Sequence, residues 1–201
     1  MSGGYRALTI GEIEGVPWLS GLTWHPVRME LGLHAFGAAG FSGGPGRLVV
    51  EPHTETADGR GHEELYIVLS GRATFTLDGE RLDAPAGTLV LVAPPVHRQA
   101  VAEEEGTTVL VLGGPPTFEV AGVEWLMRAR PLMATDPDRA RAILQDGLAE
   151  APASAAILYG FALLEATQGD TEAARASLRE AIAREPRLAA EAENEPLLAS
   201  L

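Results

Sequence analysis

The sequence contains no cysteine and no lysine. Without thiols there are no disulfides, no thiolate metal ligands and no cysteine nucleophile. All 15 basic residues are arginine, a bias that reads as the codon usage of a GC-rich genome rather than as function. Basic charge is also scarce, with 28 acidic residues and a formal net charge of −13. Both parts of the chain share the imbalance: 16 acids face 9 arginines over residues 1–133, and 12 face 6 over residues 134–201. A field of that sign repels phosphate backbones, so no nucleic-acid partner is expected, and no basic stretch is available for anionic lipid. No apolar run approaches the ~18–20 residues needed to span a bilayer. The opening MSGGYRALTIGEIEG lacks the basic start and apolar segment of a signal peptide, so a cytoplasmic location is expected. What remains is 46% hydrophobic and 21% charged, ordinary for a globular protein of one large or two small domains.

The most informative stretch runs from His62 to His97. Leu65–Leu69 is a short β-rich run followed by the turn pair Ser70-Gly71, and Ala73–Leu77 alternates apolar and polar residues. Asp78-Gly79 is the strongest hairpin signal in the chain, because a type I′ turn needs positive φ at both central residues. Pro85-Ala86-Gly87 turns the chain into Thr88–Val92, and Pro94-Pro95, unable to donate ladder hydrogen bonds, ends that strand. Thr107–Leu112 repeats the pattern, and Arg47–Glu55 reads as a strand with Pro52 marking an edge or bulge. Upstream, Leu8–Ile13 reads as a short strand and Leu31–Phe41 as the first barrel strand, while Trp18 and Trp24 are expected to cover one end of the barrel. So many short strands with near-regular turns predict an antiparallel sandwich or barrel.

These residues resemble the cupin family. Glu64, six residues, then Gly71 is similar to the end of the first cupin motif. Gly79, five residues, then Pro85-Ala86-Gly87 is similar to the start of the second, and His97 resembles the histidine that closes it. The resemblance covers roughly residues 30–115 and implies a jelly-roll barrel, a homodimer and a metal held by an H-x-H pair, a glutamate and a final histidine. Such a donor set suits Fe, Mn, Ni, Cu or Zn. Glu64 and His97 match by position, but the usual spacing from Glu64 back to the H-x-H pair reaches Asp58 and Arg60, or Ala57 and Gly59. Two repairs are open: His53-Thr54-Glu55 acts as an H-x-E pair, both side chains sharing one face of a strand, or His62 supplies the missing imidazole. The candidate ligands are therefore Glu64, His97, His53 and His62, with His97 followed by Arg98 on a polar rim as the bland alternative.

From Asp136 the language changes to Ala, Leu, Glu and Arg at helical spacing. Asp136-Pro137 is a cap followed by a first-turn proline, and Asp170 caps again. Ala140, Leu144, Gly147 and Pro152 recur 34 residues later as Ala174, Leu178, Ala181 and Pro186, a period that resembles the tetratricopeptide repeat. Pro131 falls where a preceding first helix would run, so that helix is expected to be missing. The organisation expected is a cupin β-barrel over residues 1–120, a linker at 121–133 and a tetratricopeptide-like helical segment at 134–201. The functional expectation is a small-molecule-binding cupin holding a divalent metal, its helical segment adding a protein-contact surface; acidic helices with a small apolar groove would favour a basic or amphipathic peptide partner. The alternatives are a metal-dependent enzyme, such as a dioxygenase or a cyclase/isomerase, and a metal-free adaptor.

Overall fold

The computed structural model describes residues 7–17, 21–56, 61–115, 121–199 and 201. The chain divides into two compact units, Met1–Thr117 and Phe118–Leu201. Trp18, Asp58, Arg60, Ala57 and Gly59 lie outside the described residues.

The first unit is built from ten strands in two antiparallel sheets. They are β1 (Val16–Pro17), β2 (Thr23–His25), β3 (Gly37–Gly43), β4 (Leu48–His53), β5 (Glu63–Ser70), β6 (Arg72–Leu77), β7 (Glu80–Pro85), β8 (Leu89–Val92), β9 (Arg98–Ala102) and β10 (Thr107–Gly114). One sheet runs β1-β2-β3-β10-β5-β8 and the other β4-β9-β6-β7. This is the layering of a jelly roll, although among the described residues no strand pairing closes the two sheets into a barrel. Alternation places Tyr66 and Val68 of β5, Ala73 and Phe75 of β6, Val90 and Val92 of β8 and Val109 of β10 between the sheets, all buried. The rings of Tyr66 and Phe75 meet edge to face at 5.6 Å.

Turn chemistry fixes the register. Asp78 and Gly79 adopt φ of +48° and +90° at the tip of the β6–β7 hairpin, where Leu77 pairs with Glu80. Gly71 has φ +68°, and a Cβ there would lie 2.5 Å from Thr107 Oγ1, so only glycine fits this turn. Pro52 lies in β4, which is an edge strand whose pairing with β9 shifts register twice.

The N-terminal part departs from the sequence reading. Leu8–Ile13 contains a 3₁₀ turn at Ile10–Glu12 rather than a strand. The expected first strand Leu31–Phe41 starts only at Gly37, because Leu31 closes a short helix α1 (Val27–Leu31) that Gly32 ends with φ +69°.

The second unit holds α2 (Gly122–Ala129), α3 (Pro137–Glu150), α4 (Ala155–Thr167), α5 (Thr171–Arg184) and α6 (Leu188–Asn194). Asp136 Oδ1 and Asp170 Oδ1 accept from Arg139 N and Ala173 N, each at 3.1 Å, so the 34-residue spacing of the two caps is also a spacing of helix starts. Residues 121–133, expected as a linker, carry α2 and a 3₁₀ turn at Arg130–Leu132, and Pro131 sits in the first positions of that turn, where its missing N–H costs nothing. α4 is apolar on nearly every side and packs against α2, α3 and α5. Gly147 and Gly160 permit the close approach: a Cβ on Gly147 would lie 2.6 Å from Trp125 Cγ, and one on Gly160 2.8 Å from Leu144 Cδ2. Among the described residues no helix is long and apolar enough to cross a membrane.

Candidate metal and ligand site

The two sheets of the first unit each bring side chains to one place. From β4 and the residues after it come His53 and Glu55; from β5 come Glu64 and Tyr66; from β9 comes Arg98. The backbone N–H of Glu55 donates to the Pro94 carbonyl at 3.0 Å, which ties the end of this segment to the turn before β9. His53 Nε2 lies 3.5 Å from Glu55 Oε1 and 3.5 Å from Glu64 Oε2. Its Nδ1 sits 2.7 Å from the Glu51 carbonyl, to which an Nδ1–H donates, and this contact turns Nε2 toward the two carboxylates. His62 Nδ1 is 3.6 Å from Glu55 Oε2.

Glu64 is the hub. Tyr66 O–H donates a hydrogen bond to Glu64 Oε2, and Arg98 Nη1 stands 3.7 Å from the same oxygen. Burial alone would raise the Glu64 carboxyl. The contacts from His53 and Tyr66, with the charge of Arg98, outweigh it and hold the group below the usual carboxylate range. His53 is raised above the ordinary imidazole value, mainly by Glu64 and against the effect of burial. Burial, reinforced by the Glu64 charge, pushes the Tyr66 hydroxyl far upward, so it is a permanent donor.

One ligand atom from each of His53, Glu55 and Glu64 fits within 4.8 Å of the others. Donors about 2.1 Å from a tetrahedral ion are separated by about 3.4 Å. The two 3.5 Å separations around His53 Nε2 match that spacing, and one imidazole with two carboxylates suits a divalent first-row ion. The residues present therefore fit a metal.

The cluster borders a cavity of about 710 Å³ within the same unit, a size suited to a small molecule. Trp24, Met29, Phe41, Val50 and Val111 give it apolar walls, and His53, Glu55, His62 and Glu64 give it a polar region. Trp24 thus lines the cavity rather than simply covering the fold's end.

The four sequence candidates separate here. His53 and Glu64 come together, the H-x-E alternative brings Glu55 with them, and His62 stands beside Glu55. His97 does not join them. It is exposed, and its backbone N–H donates to Asp78 Oδ1 at 2.9 Å, at the tip of the β6–β7 hairpin. The next residue, expected on a polar rim, is wholly buried: Arg98 is 0% exposed, with Nη2 donating to the Ala93 carbonyl at 2.6 Å. The signal for it was the alternation of RQAVA, in which Arg98, Ala100 and Ala102 share the inner face.

The solved structures similar to the chain include a cupin protein from Bacteroides fragilis (22% identity over 57% of this chain and 87% of that one, TM-score 0.45). They also include a sugar phosphate isomerase from a cupin superfamily of Silicibacter pomeroyi (20%, 54% and 75%, TM-score 0.45) and a predicted oxalate decarboxylase from Thermotoga maritima (16%, 55% and 99%, TM-score 0.45). No curated protein matches the chain. The family model of the AraC-like ligand binding domain matches residues 49–182, from β4 through most of α5. With more than half of its length matched, the chain belongs to the AraC-like ligand binding domain family, within the cupin superfamily that its motifs resemble.

Proposed function

We propose that this protein binds a small molecule in the cavity of its cupin unit, above a divalent transition metal held by His53, Glu55 and Glu64. The observation that carries the reading is the convergence of these three side chains on one point at the cavity wall. A bound ion would supply Lewis acidity toward an oxygen or nitrogen of the ligand. The chain's own residues do the rest. The Glu51 carbonyl orients His53, Tyr66 holds one oxygen of Glu64, and the apolar walls exclude water from the ligand's body. His62, beside Glu55, is the further imidazole available on the cavity side.

The test is metal content by elemental analysis, across Mn, Fe, Co, Ni, Cu and Zn, on protein purified without a histidine tag. About one metal per chain in the wild type, lost in Glu64→Gln, is the expected result. A metal-free wild type would overturn the metal part of the reading.

Two interaction surfaces belong to the same proposal. On β8 and β5, Leu91, Leu89 and Leu69 are 67%, 64% and 45% exposed, and β8 is an edge strand. An exposed apolar row on a sheet edge is an association surface, and a second copy of the chain is the occupant proposed, giving a homodimer. In the helical segment (134–201, with α2 before it) the repeat with its tetratricopeptide-like spacing serves as a protein-contact surface. Val123 and Met127, one turn apart on α2, are both exposed, and the acidic surroundings favour a basic, amphipathic segment of the partner.

A further inference from the structure

The guanidinium of Arg98 is the least satisfied charged group among the described residues. It is 0% exposed, and its Nε and Nη1 have no hydrogen-bond partner. Its one anionic neighbour is Glu64, at 3.7 Å from Nη1. Nη2 is committed to the carbonyls of Ala93 and Pro94, which anchors the group in place. A buried arginine so placed is a fixed positive charge directed at the carboxylate that the metal would also need.

Charge counting gives this placement a purpose. A set of three imidazoles and one carboxylate around a divalent ion carries a net charge of +1. Here one imidazole and two carboxylates around the same ion would leave a neutral site, and Arg98 restores +1. The second carboxylate, Glu55, and the buried arginine thus compensate one another. Without an ion, the same arginine neutralises one of two neighbouring glutamates that would otherwise repel each other inside the fold.

We propose that Arg98 is a built-in cation that competes with the metal for Glu64, so that the site is stable without an ion and binds one reversibly. The inference rests on the metal reading of the site and goes beyond it by assigning the residue that sets how tightly the metal is held. Arg98 is not among the residues lining the cavity, and acts by holding and charging Glu64.

The experiment uses the full chain, Mn²⁺ alone as the probe, isothermal titration for affinity and thermal melting with and without Mn²⁺. Arg98→Met removes the charge at similar volume, Arg98→Gln removes it while keeping donors, and Arg98→Lys keeps it. The neutral variants are expected to bind Mn²⁺ at least about tenfold more tightly than wild type, because a positive charge this close to a divalent ion in a buried site opposes it strongly. Without metal their melting midpoints fall below wild type, and saturating Mn²⁺ raises them by more than it raises the wild type. Arg98→Lys stays within about threefold of the wild-type affinity, as expected if charge rather than shape is the cause. If Arg98→Met does not fold, Arg98→Gln carries the comparison. Wild type that binds Mn²⁺ with neutral variants that bind no more tightly overturns the competition and leaves the metal site standing. Neutral binding behaviour shared by Arg98→Lys also overturns it. Absence of Mn²⁺ binding in every variant removes the metal reading itself, and the inference with it.

Discussion

In the metal-free protein the pairing of Glu64 with Arg98 has a measurable size. At 3.7 Å and an effective dielectric constant of about 20, two unit charges attract by about 4.5 kcal/mol. Truncating one member of a buried pair costs about 3–5 kcal/mol, because the other is left charged and uncompensated. Glu64→Gln is therefore expected to destabilise the first unit by about 4 kcal/mol, with the Tyr66 hydroxyl still able to donate to the amide oxygen. Arg98→Met is expected to cost a similar amount, since it strands Glu64 beside Glu55. The double variant replaces the pair by neutral groups of similar volume, so it should lose far less than the sum of the singles, with a coupling of about 3 kcal/mol. Urea unfolding at pH 7.5 with EDTA measures this. The chain has three tryptophans, of which Trp125 lies in the helical unit; in a Trp125→Phe background, fluorescence from Trp18 and Trp24 reports the first unit alone. A loss below about 1 kcal/mol for Glu64→Gln, or single losses that add in the double variant, would refute the pairing on which the site's electrostatics rest.

The other expectations can be checked separately. His53 is raised, so its contribution to stability is fully present below the ordinary imidazole value of about 6.5 and is lost as pH rises through the elevated one. Glu64 is lowered, and its contribution is present above the ordinary carboxylate range and lost as pH falls through the depressed value. Metal-free wild type should accordingly lose stability on the alkaline side of the His53 titration, and Glu64→Gln should flatten that slope in melts taken across pH 5–9. Leu89→Glu with Leu91→Glu should convert a dimer to a monomer in light scattering without changing the far-ultraviolet spectrum, as both side chains face solvent in a single chain. A dimer that survives both charges would place the interface elsewhere. Leu178→Asp should cost about 3 kcal/mol or more and reduce helical signal in circular dichroism, since Leu178 is 9% exposed against α4 and its neighbours. Native helix content at unchanged melting would show that this face tolerates charge.

Much of the fold was legible because turns and alternation are local. Asp78-Gly79 required positive φ where the structure has it, Ser70-Gly71 marked a turn, and Asp136 and Asp170 marked helix starts 34 residues apart. What was not legible depended on context beyond a few residues. Pro131 was read as a helix breaker, yet it opens a new 3₁₀ turn after α2 has already closed, so its missing N–H interrupts nothing. Leu31–Phe41 is apolar apart from His34, and such a run does not by itself distinguish a helix end from a strand; Gly32, in the left-handed region, makes the division.

The site shows the same limit more sharply, because parity decides everything in a strand. A motif aligned by spacing selects His97, and a shift of one residue turns the opposite face inward. The parity was nonetheless present in the sequence. Ala100 and Ala102 are small and apolar, as inner-face residues beside Phe75 must be, while Gln99 lies on the other face. The inner residue two positions before Ala100 is Arg98, not His97. Reading β9 outward from its alanines, rather than inward from the proline turn, selects an arginine. Arginine cannot ligate a metal, so the chemistry must close differently. In the proposed site the second carboxylate, Glu55, and the buried cation, Arg98, answer one another in charge.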